Sequence, residues 1–118
     1  MAERTLTDQE ATRALGDLTS WRAEGGTIRR TYETEGWGTT LMLVNAIGFV
    51  AEAADHHPDL EVSWAKVAVR LSTHSAGGIT DKDIALAREI ERLALWRPEG
   101  GGPLRGTKRA FVKRDAAR

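Results

Sequence analysis

The chain has 118 residues, with 41% hydrophobic and 29% charged, which is the composition of one globular domain and excludes a disordered or membranous chain. Lys+Arg and Asp+Glu both number 17, so no global charge marks a nucleic-acid or anionic-membrane partner. Cysteine is absent, which removes disulfides, thiolate catalysis and zinc–cysteine sites. The polar start Met1-Ala2-Glu3-Arg4 carries no apolar secretory segment, and the run Leu41 to Ala51 is short of the ~20 residues of a membrane span. A soluble, cytoplasmic protein is expected.

In chain order, the first helix is expected near Thr7, with Thr5 or Thr7 as cap, Asp8 and Glu10 in its first turn, and Ala11, Leu15 and Leu18 as its apolar stripe. Trp21 reads as part of a short strand, and Gly25-Gly26 as a turn. Thr27 to Thr34 is rich in β-branched residues and reads as a strand. Thr39 to Ala54 is a helix that is apolar on most sides. One small sheet covers only one face of such a helix, so self-association is expected. Asp55 to Leu60 reads as a loop, and Val62 to Thr73 as a strand with Val67, Val69 and Leu71 on one face and Trp64, Lys66, Ala68 and Arg70 on the other. Trp21 and Trp64 are expected as core or pocket-wall residues. Thr80 caps the last helix, with Asp83 three residues on in the pattern of a capping box, and Ile84, Ala87, Ile90 and Ala94 form its stripe.

This order predicts an α+β domain over residues 1–96, with helices on one face of an antiparallel sheet. Residues 97–118 differ from it: seven basic residues oppose two acidic ones, and Pro98, Gly100, Gly101, Gly102, Pro103 and Gly106 fall there. They read as a flexible basic tail, either solvated or in contact with a nucleic acid or an acidic partner.

The three histidines, His56, His57 and His74, lie near Glu52, Asp55 and Asp83. Histidine titrates near neutral pH, and a carboxylate on one ring nitrogen selects the nitrogen offered to a substrate. Glu52 precedes His56 by one helical turn, and Pro58 holds His57 extended. From these residues alone three readings stay open: solvated histidines, acid–base catalysts, or a metal site. The adjacency of His56 and His57 speaks mildly against the last.

The pattern Glu52-x-x-x-His56-His57-Pro58, then five residues to Trp64, nine to His74 and eight to Asp83, resembles the signature of the pterin-4a-carbinolamine dehydratase family. The neighbouring Leu71-Ser72-Thr73-His74 and Gly78-Ile79-Thr80 segments are similar too, and the resemblance spans about Leu6 to Ala94. The strand Thr27–Thr34 departs from it, offering Ile28, Tyr32 and Thr34 where many relatives have phenylalanine, and the tail lies outside it.

The resemblance implies a four-stranded antiparallel sheet with three helices on one face, assembled as a homodimer or homotetramer. It implies a hydro-lyase that removes water from 4a-hydroxytetrahydropterin to give quinonoid dihydropterin, in tetrahydropterin recycling, with no metal and no cofactor besides the pterin substrate. His57 and His74 would then transfer protons, and His56 would position the hydroxyl side or share the acid role. Glu52, Asp55 and the backbone around Thr73 would bind the pterin, and Asp83 would support His56. The resemblance also implies a rival, since some members serve as dimerisation cofactors of a homeodomain transcription factor.

Overall fold

The computed structural model describes residues 4–106 and 110–113. Three helices and four strands follow in the order α1 (Asp8–Leu15), β1 (Arg22–Glu24), β2 (Thr27–Glu33), α2 (Trp37–Ala54), β3 (Asp59–Ser63), β4 (Lys66–Leu71) and α3 (Asp81–Leu95). The sheet order is β1-β2-β4-β3 and every neighbouring pair is antiparallel. This is the expected α+β arrangement. β2 and β3 therefore run parallel on either side of β4, joined by the α2 crossover, and β4 enters between them from the β3–β4 hairpin.

Period-two alternation decides the faces of the sheet. In β2, Ile28, Arg30 and Tyr32 are buried while Arg29, Thr31 and Glu33 are exposed. Val67, Val69 and Leu71 of β4 join the same buried side. The register pairs Ile28 with Leu71 and Tyr32 with Val67, so apolar neighbours stack across the two central strands. The helices add Ala11, Leu15, Leu43, Ile47, Ile84, Ala87 and Ile90 to this core.

Four expectations are corrected. The strand over Val62–Thr73 is two strands, because Trp64 and Ala65 form the turn of a hairpin whose register pairs Ser63 with Lys66. Trp64 therefore sits at a hairpin tip, 67% exposed, whereas Trp21 is buried as expected. β3 begins at Asp59, so the loop before it is shorter than Asp55–Leu60. α2 begins at Trp37 rather than Thr39, and Gly36 at its N-cap contributes no side chain. The Thr40 hydroxyl instead ties the first turn of α2 to the β3–β4 hairpin, lying within hydrogen-bond distance of the Gly36 and Trp64 carbonyls and of the Thr34 hydroxyl.

α2 has the length and composition of a short membrane span, yet Thr40, Leu43, Ile47 and Ala51 form a buried stripe within the domain. Its other sides leave Trp37, Leu41, Met42 and Phe49 exposed, the last 75% so. Fully covering a side chain of that size is worth roughly 1.5–3 kcal/mol.

Beyond α3, part of the basic tail returns to the domain. Val112 is buried in the core, the Lys113 N–H donates to the Glu33 carbonyl at 2.8 Å, and the Arg97 guanidinium donates to the Val112 carbonyl at 2.6 Å. Of the remaining basic residues, Arg105 is exposed, and Lys108, Arg109, Arg114 and Arg118 lie outside the described residues.

Candidate active site

The site is built where α2 ends. The Asp55 N–H donates to the Glu52 carbonyl and the His56 N–H to the Ala51 carbonyl, while Asp55 takes a left-handed conformation (φ 50°). These two reversed bonds are a Schellman ending, and aspartate is one of the few non-glycine residues that tolerate that conformation as a single residue. The chain turns sharply, so His56 and His57 leave the helix axis and point away from it in succession.

Each histidine then meets a different carboxylate through Nε2. His56 reaches the Asp83 Oδ1 at 2.6 Å, and His57 reaches the Glu52 Oε1 at 2.8 Å. The first pair is enclosed, with side-chain exposures of 13% and 0%; the second is open, at 58% and 81%. The sequence suggested Glu52 beside His56, one turn on. The helix ends before that geometry is realised, and Glu52 instead serves His57.

Asp83 is placed by the start of α3. Its Oδ2 accepts from the Thr80 N–H at 2.9 Å, closing the capping box, and from the Thr73 hydroxyl at 2.8 Å. The Thr73 and Thr80 hydroxyls are 2.7 Å apart and buried. One carboxylate thus joins the end of α2, the start of α3 and the segment after β4.

That segment is a tight loop. The Thr73 N–H donates to the Gly78 carbonyl, and the Thr73 carbonyl accepts from Ala76 and Gly77. Gly77 has φ 75°, which favours glycine there. The Thr73 N–H, carbonyl and hydroxyl are all engaged inside the protein, and the hydroxyl holds Asp83. His74, the next residue, is exposed on the loop, and its imidazole makes no hydrogen bond to the described residues. Asp55 is exposed and is placed by its role as helix cap.

Among the described residues no three of His, Asp and Glu form a metal-holding group. The open arrangement instead puts two histidines, each with one nitrogen on a carboxylate, beside the loop that carries a third with its ring unengaged. Such a set can donate and accept protons at neighbouring points of one ligand. A separate open cleft of about 1100 Å³ lies between the tail and the start of α2, lined by Glu35, Met42, Trp96 and Phe111 among others. No histidine lines it.

The family model described as pterin 4 alpha carbinolamine dehydratase matches residues 4–93. The chain belongs to this family. A relative from Aquifex aeolicus, provisionally named a pterin-4-alpha-carbinolamine dehydratase, is 49% identical over 90 residues, covering 76% of this chain and 91% of its own. One from Nocardia farcinica, named in the same way, is 44% identical over 94 residues, covering 80% and 99%. A crystal structure from Brucella melitensis described as a transcriptional coactivator/pterin dehydratase superposes with TM-score 0.69 at 32% identity, covering 75% of this chain and 96% of that one. A pterin dehydratase-like protein described as a RuBisCO assembly factor in the alpha-carboxysome shares the fold, at TM-score 0.57 and 19% identity, over 64% of this chain and 90% of its own. The dehydratase family match ends before the tail, so the packing of Val112 is an addition to the shared domain.

Sequence reasoning missed two things near these residues. Thr80 was read as a cap alone, although its hydroxyl is part of the Asp83 network; the capping-box spacing to Asp83 was the available signal. Arg30 and Glu91 were not singled out, yet Glu91 Oε1 accepts from Trp21 Nε1, Arg30 Nε and the Tyr32 hydroxyl inside the core. Burial and the Glu91 bond push the Tyr32 phenol well above its ordinary range. Alternation puts Arg30 on the inward face with Ile28 and Tyr32, but nothing in the strand names the carboxylate it meets there.

Proposed function

We propose that this protein is a 4a-hydroxytetrahydropterin dehydratase, a hydro-lyase that acts in tetrahydropterin recycling by histidine acid–base catalysis. The observation that carries the reading is the pairing of adjacent histidines with two separate carboxylates, beside His74, on this family's scaffold.

Dehydration at C4a requires one proton delivered to the departing hydroxyl and one removed from a ring nitrogen. His57 and His74 are the exposed imidazoles and take these two transfers. His56, held by Asp83, orients the hydroxyl side. Glu52 holds the His57 ring, and Asp55 is free to bond the polar edge of the pterin. Thr73 acts through Asp83. The C4a–O bond breaks as the protonated hydroxyl leaves as water, the ring nitrogen that loses its proton forms the C=N bond, and the side chains named supply both proton transfers without a further cofactor. The exposed apolar side of α2 supports assembly as a homodimer or homotetramer.

The test is the rate of 4a-hydroxytetrahydropterin dehydration, with substrate generated by a phenylalanine hydroxylase. Wild type is expected to accelerate it, and His57→Ala and His74→Ala each to lose on the order of 100-fold or more. Folded wild type that gives no acceleration over the uncatalysed rate removes the proposal.

The exposed side of α2 and the coactivator description of the Brucella relative favour one second reading, a dimeric binding module. Under it, His57→Ala would leave partner binding intact.

A further inference from the structure

We propose that the N-cap of α3 sets the tautomer of His56, with Thr73 and Thr80 as positioning residues that keep the proton on Nε2 and leave Nδ1 as the nitrogen that accepts from the hydroxyl side of the ligand. The order follows from counting donors. A threonine hydroxyl has one proton to give, and a carboxylate only accepts. The Lys82 N–H donates into the Thr80 hydroxyl oxygen at 3.2 Å, leaving the Thr80 proton free to point elsewhere. Thr73 spends its one proton on Asp83 Oδ2. The proton in the 2.7 Å contact between the two hydroxyls must therefore come from Thr80. The Thr80 N–H gives Oδ2 a second donor.

A directed chain results: Lys82 N–H to Thr80, Thr80 to Thr73, Thr73 to Asp83. With Oδ2 holding two donors and Asp83 wholly buried, Oδ1 is left to accept from His56 Nε2 at 2.6 Å. The hydrogen bond at one imidazole nitrogen fixes the role of the other, so Nδ1 carries the lone pair. Burial makes the arrangement rigid, because any reversed proton in the chain leaves a donor facing a donor out of reach of water.

The use of this tautomer in dehydration rests on the proposed function; the tautomer itself does not. The experiment is nitrogen-15 NMR of the imidazoles in full-length protein, with His56 assigned by its loss in His56→Gln, alongside dehydration kinetics. In the neutral form of His56, wild type is expected to carry the hydrogen on Nε2. Asp83→Asn, whose amide can donate as well as accept, is expected to release that preference.

Thr73→Val and Thr80→Val are expected to give mixed tautomers and to lower kcat roughly tenfold, in line with the loss from small misplacements of catalytic groups. The serine variants at both positions should restore both readouts. A role in folding alone would lower the melting temperature and leave the tautomer unchanged. Should Thr80→Val fail to fold, Thr73→Val, which lies outside the helix cap, carries the same test. Wild-type His56 with hydrogen on Nδ1, or valine variants that keep the wild-type tautomer, overturns the proposal. An intact tautomer in a protein that does not dehydrate the pterin would sink the dehydratase reading and leave this one standing.

Discussion

The two histidine–carboxylate pairs differ in nearly everything except their chemistry. His56–Asp83 is sealed between two helix ends and tied to two threonines, whereas His57–Glu52 lies open on the surface. A histidine and a carboxylate five residues apart on one helix end, or 27 apart across the fold, make bonds of 2.8 and 2.6 Å that differ in consequence. The enclosed pair gains rigidity, because its carboxylate has no water to fall back on. The open pair is screened and free to rearrange around a ligand.

Removing each carboxylate is the direct way to break this comparison. Asp83→Ala strands three buried donors and is expected to cost about 3–5 kcal/mol of unfolding free energy, read from the shift of a urea transition. If Glu52→Ala cost as much, the contrast between the pairs would be wrong.

A buried cluster with no histidine sharpens it by separating burial from catalysis. Glu91→Gln removes the buried carboxylate that Arg30, Trp21 and Tyr32 share and is expected to cost about 3 kcal/mol. Dehydration per folded molecule should stay at the wild-type level, since none of the proposed proton-transfer groups touches Glu91. A proportional loss of turnover would tie the two regions together.

Tyr32 gives a milder test by pH. Its phenol is raised, first by burial and then by the hydrogen bond to Glu91. The neutral phenol is the form the fold favours, so this stability is fully present below the unfolded value of about 10 and is lost as the unfolded state ionises above it. Alkaline unfolding should therefore steepen above about pH 10 in wild type and flatten in Tyr32→Phe, which itself should cost about 1 kcal/mol at neutral pH. An unchanged alkaline limb in the variant would place the titration elsewhere.

Glu52→Ala carries the smallest stability change, under about 1 kcal/mol, and one that shrinks further with added salt. Its effect should appear in kcat instead, as a loss of several-fold through a less oriented His57. Equal turnover in wild type and variant would mean that the open pair does no orienting.

Much of the domain was legible along the chain. Thr7, Thr80 and Asp83 announce helix starts because capping is local chemistry, settled within four residues. Val67, Val69 and Leu71 announce an inward face because alternation is a property of the strand itself. The spacing from Glu52 to Asp83 was enough to name the family, since seven residues at fixed intervals leave little room for coincidence. The hairpin at Trp64–Ala65 was not legible: no glycine, proline or asparagine marks it, and the residues on both sides are equally strand-like.

Partner choice within the site was also hidden. Glu52 is one helical turn from His56 and would pair with it if the helix continued, but the left-handed Asp55 ends the helix and hands Glu52 to His57. The partner of Arg30 was hidden for a similar reason: Glu91 meets Arg30 and Tyr32 only when α3 lies on the sheet.

By itself, then, the sequence determined the elements, their caps, their apolar faces and the set of residues able to move protons, because these depend on neighbours a few positions away. Tertiary structure alone decided which carboxylate serves which histidine, that Asp83 is sealed while Glu52 is open, and that Val112 returns to the core. Those outcomes depend on packing between segments tens of residues apart, where burial makes a hydrogen bond costly to lose and water makes the same bond cheap.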